Sequence, residues 1–492
     1  MHPNAEVYVR ALQARDPRFD GIFFVGIAST RIYCRPICPA RVSHPEHRRF
    51  FDTAAAAERA GYRPCRRCRP ELAPGRSLVH AVSRLAAAAE RRIAAGALNG
   101  RGVKELAGEL CVSERHLRRA LREALGVTPL ELAQTHRLLL AKRLLTDTTL
   151  PVTQVAFASG FQSVRRFNHV FRERYRMRPA ELRRRGRERS APGEMVRLTL
   201  SYRPPLAWSA VLEFLGREGV AGVEFVEGRR YARTVMLDGH AGVVIVEDGA
   251  AAGRGKRTHA AHLSVDISGS LVPVLMPLIA RLRQLLDLDA EPAVIDACLG
   301  RAGLDSLVTK RPGVRVPGAF DGFEVALRML LRSGPWRPRE GDPAAVVTEA
   351  LGEPIVTGLP GLDRLPPGPD RVAEAGTGRL IQLGVPPRRA HATVTLARAV
   401  AAGTLRLEPG CDVDETRRAL TELTGVSDRL AAMIVMRALS WPDALPDADL
   451  LLQAAAGSSG AAALRARAEA WRPWRAYAAA HLWLESFERN HR

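Results

Sequence analysis

Between Leu78 and Arg189 the apolar residues recur at helical spacing. Val103, Leu106, Ala107 and Leu110 stand at i, i+3, i+4 and i+7, and Leu117, Leu121 and Leu125 resume the pattern after a break at Cys111-Val112-Ser113. Ser113 is placed to cap the second of these helices. The arrangement repeats: Val152, Val155 and Ala156 mark one helix, SGFQS breaks it at Gly160, and Phe167, Val170 and Phe171 mark the next, with Ser163 as its cap. Two short helices joined by a tight turn, twice over, predict a pair of helix-turn-helix units. From Val196 the period becomes two. Val196, Leu198 and Leu200 alternate, and the runs 223–237, 241–248 and 262–268 read as strands broken by glycine. With helical stretches at 208–217 and 272–288 they predict a small α+β unit, and after the run 311–331 the chain reads as helix to its end.

At 492 residues the chain is long enough for three or four domains, and 46% hydrophobic residues suffice to build their cores. There is no apolar run of membrane-spanning length, and the opening MHPNAEVYVRALQARDPRF lacks a signal-peptide pattern, so a cytoplasmic, nucleoid-associated protein with no membrane partner is expected. Its seven cysteines are then expected to be reduced. The net charge of +21 is unevenly placed: residues 1–190 carry 37 Lys and Arg against 17 Asp and Glu, and residues 191–492 carry 36 against 35. A surplus of that size in one region is the footprint of polyanion binding, most often nucleic acid; an Arg-rich solvated surface is the alternative.

Four cysteines sit inside the basic region as Cys34-x3-Cys38 and, after a 26-residue spacer, Cys65-x2-Cys68. Two short pairs brought together by a loop suit a tetrahedral all-thiolate Zn²⁺ site, with an iron centre or four free thiols as the other readings. The stretches GIASTRIYCRPICPAR and GYRPCRRCRPE resemble the zinc domain of Ada-type adaptive response proteins. That resemblance implies Zn²⁺ bound by Cys34, Cys38, Cys65 and Cys68. It also implies that Cys34 is the nucleophile that irreversibly takes a methyl group from a DNA methylphosphotriester. Losing one negative charge beside the phosphate backbone would then strengthen DNA binding and turn repair into a signal. Arg35, Arg41, Arg66 and Arg67 flank the site as candidate phosphate contacts.

A helix that enters the major groove needs an apolar rear and a basic front. Arg115, His116, Arg118, Arg119 and Arg122 supply that front in the first unit, and Arg165, Arg166, Asn168, His169 and Arg172 in the second, with Gln162 and Ser163 at its start. The run LPVTQVAFASGFQSVRRFNHVFRERYRMRPAELR resembles an AraC/XylS-type DNA-binding domain, which implies promoter DNA and RNA polymerase as partners.

The strand-rich segment resembles the N-terminal domain of AlkA-type 3-methyladenine DNA glycosylases. LTGVSDRLAAMIVMRALSWPDALPDADLLLQ and AEAWRPWRAYAAAHLW resemble the helix-hairpin-helix core, catalytic-Asp segment and last aromatic helix of that superfamily. The resemblance implies Asp449 as the catalytic carboxylate, with Asp447 the one-slip alternative, and Trp483 in the base pocket. Three features depart from the pattern. The hairpin turn reads Gly425-Val426-Ser427, Arg429 and Met433 stand where the pocket Trp and Tyr would be, and RSGPWRPREGDP replaces the base-flipping wedge. An altered, inactive scaffold therefore stays open beside an active glycosylase.

The fold expected is multidomain α+β. It comprises a small four-cysteine zinc domain (1–76), an all-α double helix-turn-helix domain (78–188), an α+β AlkA N-terminal-like domain (194–292) and an all-α helix-hairpin-helix glycosylase-like domain (303–490). The function expected is alkylation response, by methyl transfer to Cys34, transcriptional regulation and base excision, in a monomer.

Overall fold

The structure is a computed structural model that describes residues 4–41, 43–75, 84–183, 195–249, 261–332 and 341–489. It divides into two compact units. One comprises Met1–Pro204, Gly249–Ala280 and Leu288–Ala290; the other comprises Pro205–Asp248, Arg281–Asp287 and Glu291–Arg492.

The first unit opens with α1 (Ala5–Ala14), β1 (Phe24–Ile27), β2 (Ile32–Cys34), β3 (Arg48–Phe51), α2 (Ala54–Arg59) and β4 (Arg63–Pro64). The strands form one sheet in the order β3-β1-β2-β4, antiparallel except for β2 with β4. Aromatic residues hold α1 to this sheet: Tyr8 stacks on Phe23 at 4.1 Å, and Phe50 meets both rings edge-on. Gly26 is required by packing, since a Cβ there would lie 2.7 Å from the Tyr62 ring. The register sets Val25 opposite Cys34, so the first cysteine ends a strand that is paired on both sides.

Helices follow: α3 (Arg84–Ala94), α4 (Val103–Glu109), α5 (Glu114–Leu125), α6 (Pro129–Asp147), α7 (Val152–Ala158), α8 (Val164–Tyr175) and α9 (Pro179–Arg183). The expected turns and caps are present. Ser113 accepts from the His116 amide to start α5, and Ser163 accepts from the Arg166 amide to start α8. Leu117, Leu121 and Leu125 bury one face of α5; Phe167, Val170, Phe171 and Tyr175 bury the matching face of α8. Gly160 stands at φ +84°, a conformation glycine adopts without steric cost. Arg183 opens a charged, Pro- and Gly-containing run to 194 whose composition suits a linker; positions 184–194 lie outside the described residues.

The strand-rich segment runs β5 (Val196–Ser201), α10 (Trp208–Glu218), β6 (Glu224–Glu227), β7 (Arg230–Leu237), β8 (His240–Asp248), β9 (His262–Ile267) and α11 (Leu275–Leu285). In the first unit β5 pairs antiparallel with β9, and in the second β6, β7 and β8 form an antiparallel meander.

The rest of the second unit is helical: α12 (Pro292–Leu299), α13 (Asp305–Lys310), α14 (Gly322–Leu331), α15 (Pro343–Leu351), α16 (Pro369–Gln382), α17 (Pro387–Ala401), α18 (Val413–Glu422), α19 (Asp428–Ala438), α20 (Leu450–Ala455), α21 (Ala461–Ala468) and α22 (Arg475–Arg489). An apolar core from Val220 to Leu439 joins α14 to α19. Beside it lies a buried ion network, in which Arg328 meets Glu224 at 2.6 Å and Glu324 at 2.8 Å, and Arg233 meets Glu324 at 2.8 Å. Charges this deep persist because each is paired. Among the described residues no helix is long and apolar enough to cross a membrane.

Candidate functional site

Three groups of residues carry chemistry. The first is the cysteine cluster. Cys34 ends β2, Cys38 follows in the loop, and Cys65 and Cys68 follow β4, so the parallel pairing of β2 with β4 brings the two short motifs together. The four sulfurs lie within 4.8 Å of one another and all four residues are buried. A tetrahedral ion with bonds of ~2.3 Å needs sulfurs about 3.8 Å apart, a spacing within the limit this cluster keeps. Backbone amides point at two of them, Arg35 N at Cys68 Sγ (3.4 Å) and Arg67 N at Cys65 Sγ (3.3 Å), as suits thiolates. Hydrogen bonding among the sulfurs pushes the Cys34 thiol far above its ordinary range, holds Cys65 far below it and brings Cys38 to about 7. A divalent ion takes the place of the protons that these crowded thiols share. Donor set, burial and spacing therefore fit zinc.

The flanking arginines separate into two kinds. Arg41, Arg66 and Arg67 are exposed. Arg35 is not, and the expectation that it contacts phosphate is corrected: it is 2% exposed. Its Nε donates to Asp20 at 2.8 Å, a second bond joins Nη2 to the same carboxylate, and Nη1 donates to the Cys68 carbonyl at 3.1 Å. Charge alone suggested a surface role, but Asp20, buried beside it, needs a counter-ion.

The second group is the pair of basic helix fronts. Arg115, His116, Arg119 and Arg122 on α5 are exposed, while Arg118 is half-buried and pairs with Glu114. Gln162, Ser163, Arg165, Arg166, His169 and Arg172 are exposed at the start and along the front of α8, with Asn168 half-buried. Both fronts lie opposite apolar faces that are fully used in packing, which leaves them free to meet a polyanion.

Sequence reasoning missed what lies between these two groups. Glu58 of α2 is buried, accepting from Tyr33 Oη at 3.1 Å and from Thr135 Oγ1 of α6 at 3.1 Å, with Arg174 of α8 3.8 Å away. Burial raises its carboxyl to about 7. Close by, Lys142 of α6 forms a buried pair with Glu71 and donates to the Cys65 carbonyl at 3.4 Å, and Arg69 pairs with Asp147 at 2.7 Å. No local motif marks these residues, because their partners lie between 25 and 116 positions away.

The third group is in the second unit. The turn Gly425-Val426-Ser427 joins α18 to α19, with Gly425 at φ +101° and Ser427 capping α19. Asp449 is buried and caps α20: its Oδ1 accepts from Leu452 N at 2.9 Å and from Trp483 Nε1 at 3.2 Å. Its Oδ2 accepts from Arg429 Nη1 at 3.1 Å. The expected carboxylate and aromatic residue thus meet, with Arg429 as a third member. Met433 is buried on α19, and Asp447 pairs instead with Arg465 at 3.0 Å. Of the altered wedge, 332–343, positions 333–340 lie outside the described residues.

Known families match along the chain. The family described as the metal binding domain of Ada matches residues 7–71, a helix-turn-helix domain family matches 106–185, and the AlkA N-terminal domain family matches 197–321. The chain is 37% identical, over 98% of its length, to 97% of a probable bifunctional transcriptional activator/DNA repair enzyme AlkA of Mycobacterium tuberculosis. It is 33% identical to DNA-3-methyladenine glycosylase 2 of Escherichia coli, over 58% of this chain and 96% of that protein. It is also 33% identical to the E. coli bifunctional transcriptional activator/DNA repair enzyme Ada, over 24% of this chain and 32% of that one.

Proposed function

Since the chain belongs to the family of Ada and AlkA fusion proteins, we propose that it repairs alkylated DNA and regulates transcription in response to it. The single observation that carries this reading is the buried four-sulfur cluster set in the basic part of the chain. The work falls to four domains at 1–76, 78–188, 194–292 and 303–490.

Cys34, Cys38, Cys65 and Cys68 hold zinc, which keeps the sulfurs as thiolates at neutral pH. Cys34 Sγ attacks the methyl carbon of a methylphosphotriester; the new S–C bond forms as the C–O bond breaks, and its electron pair leaves on the phosphate oxygen. The product is an ordinary phosphodiester and a thioether that this protein does not reverse, so each molecule acts once. Arg41, Arg66 and Arg67 hold the backbone for this step. The cluster has then lost one negative charge, and repulsion of the DNA falls. Arg115, Arg118 and Arg119 on α5, with Gln162, Ser163, Arg165, Arg166, Asn168 and His169 on α8, read the promoter. RNA polymerase is the partner at that promoter, and the protein acts as a monomer in the nucleoid region of the cytoplasm.

The C-terminal half removes alkylated bases. Asp449 stabilises the positive charge that grows on the sugar as the C1′–N bond breaks and the base leaves with its electrons; water then adds to C1′. Trp483 orients that carboxylate and borders the base. The Arg429–Asp449 pair favours a second reading, in which this half grips DNA without cutting it. Release of damaged base by the wild type and not by Asp449→Asn supports the first reading, and no release above background supports the second.

The regulatory half is tested by titrating promoter DNA with protein before and after exposure to methylphosphotriester DNA. Tighter binding afterwards, lost in Cys34→Ala, is expected; equal affinity in the two states would overturn it.

A further inference from the structure

We propose that Arg429 is a positioning residue that acts through Asp449 to set the charge of the base site. By cancelling the carboxylate's charge it shifts the site's preference away from cationic N-alkylpurines and toward damaged bases without a fixed positive charge. The inference rests on the base-removing reading of this half.

The geometry is specific. Both oxygens of Asp449 are engaged, Oδ1 by the Leu452 amide and the Trp483 indole and Oδ2 by Arg429 Nη1. The two members of the ion pair are unequally covered, with side-chain exposures of 37% for Arg429 and 7% for Asp449. The guanidinium is therefore the member that faces solvent, and a group approaching the carboxylate from that side meets a cation first. Arg429 stands two residues after the Ser427 cap, in the first turn of α19, where the helix dipole disfavours positive charge. Asp449 offsets that disadvantage, so the pair stabilises itself at the cost of the site's negative field.

That cost falls on substrates unequally. A purine alkylated at N3 or N7 carries a full positive charge, and bringing it beside the guanidinium places like charges together in a partly desolvated site. A neutral damaged base such as hypoxanthine meets no such repulsion. Met433 lies one turn on along the same face of α19, is buried, and brings no charge to that face. The oxocarbenium-like sugar is stabilised less as well, but that loss is common to all bases and does not discriminate.

The test uses the full-length zinc-loaded protein and duplexes carrying a single 7-methylguanine or a single hypoxanthine, with base release followed under single-turnover conditions. In the wild type the rate ratio of 7-methylguanine to hypoxanthine is expected to be held down. Arg429→Gln should shift the rate ratio toward 7-methylguanine by on the order of tenfold, and Arg429→Lys should restore it. A ratio that Arg429→Gln leaves unchanged would overturn the inference, because damage to packing slows both substrates alike. If neither protein releases either base, the base-removing reading fails by itself. Binding then decides the charge assignment, using duplexes with a cationic pyrrolidine or a neutral tetrahydrofuran in place of the damaged nucleotide. A preference for pyrrolidine that rises on the order of tenfold in Arg429→Gln supports the assignment; an equal preference in both proteins overturns it.

Discussion

Tyr33 donates its hydroxyl to Glu58 at 3.1 Å from the position next to Cys34. The same carboxylate accepts from Thr135 of α6, and Arg174 of α8 lies beside it, so one buried acid touches the metal-site strand and two helices of the DNA-binding module. Both kinds of element belong to the first unit.

Glu58 makes the stability of this unit depend on pH. Its ordinary value is 4.5, and burial raises it to about 7, so the folded protein keeps a proton that the unfolded chain releases between those values. Stability is then highest below about 4.5, falls as pH rises toward about 7, and stays lower above. Glu58→Gln, which keeps an acceptor for Tyr33 and Thr135, should flatten that slope and raise stability at pH 8 by up to about 3 kcal/mol. Chemical denaturation at pH 5 and pH 8 checks this; an unchanged slope would mean that Glu58 stays ionised in the fold.

Lys142 and Glu71 are the complementary case. Burial alone would raise the Glu71 carboxyl, but Lys142 and Arg69 hold it below its ordinary value. Lys142→Met should remove the closer of two counter-ions, leaving Glu71 with Arg69 at 3.0 Å, and cost up to about 3 kcal/mol, read as a lower melting temperature. The double variant with Glu71→Leu should recover much of the loss.

Arg35 and Arg67 should separate cleanly. Arg35→Ala strands the buried Asp20 and is expected to cost about 3–5 kcal/mol of stability. Arg67→Ala should leave the stability within about 0.5 kcal/mol of the wild type and lower the slope of log affinity against log salt by roughly 0.9. The reverse outcome would return Arg35 to the DNA surface.

What the sequence made legible and what it hid divide along a physical line. The caps at Ser113 and Ser163 and the turn at Gly160 were readable because short-range spacing encodes them, and the meeting of Cys34, Cys38, Cys65 and Cys68 because two short thiol pairs suit a single four-coordinate ion. The meeting of Asp449 with Trp483 followed from resemblance. The burial of Arg35, the shared contacts of Glu58 and the partner of Arg429 were not readable, because each depends on a residue 15 or more positions away and on which face the fold covers. A charged side chain reads alike from sequence whether it meets solvent or a buried counter-ion.

Chelation should act on the first unit before the second. Removing zinc leaves four buried sulfurs to share protons, which should loosen the β1–β4 sheet and expose Cys34 to thiol reagents, while base release by the second unit persists. Loss of both on the same chelator titration would contradict this.

The central claim is that Cys34 is consumed in the reaction. Peptide mapping by mass spectrometry, after zinc-loaded protein has met duplex DNA bearing methylphosphotriesters, tests it most directly. The account predicts one added methyl per chain, on the peptide that holds Cys34, with Cys38, Cys65 and Cys68 unmodified. A methyl on another cysteine, or none on a zinc-loaded protein, would contradict it.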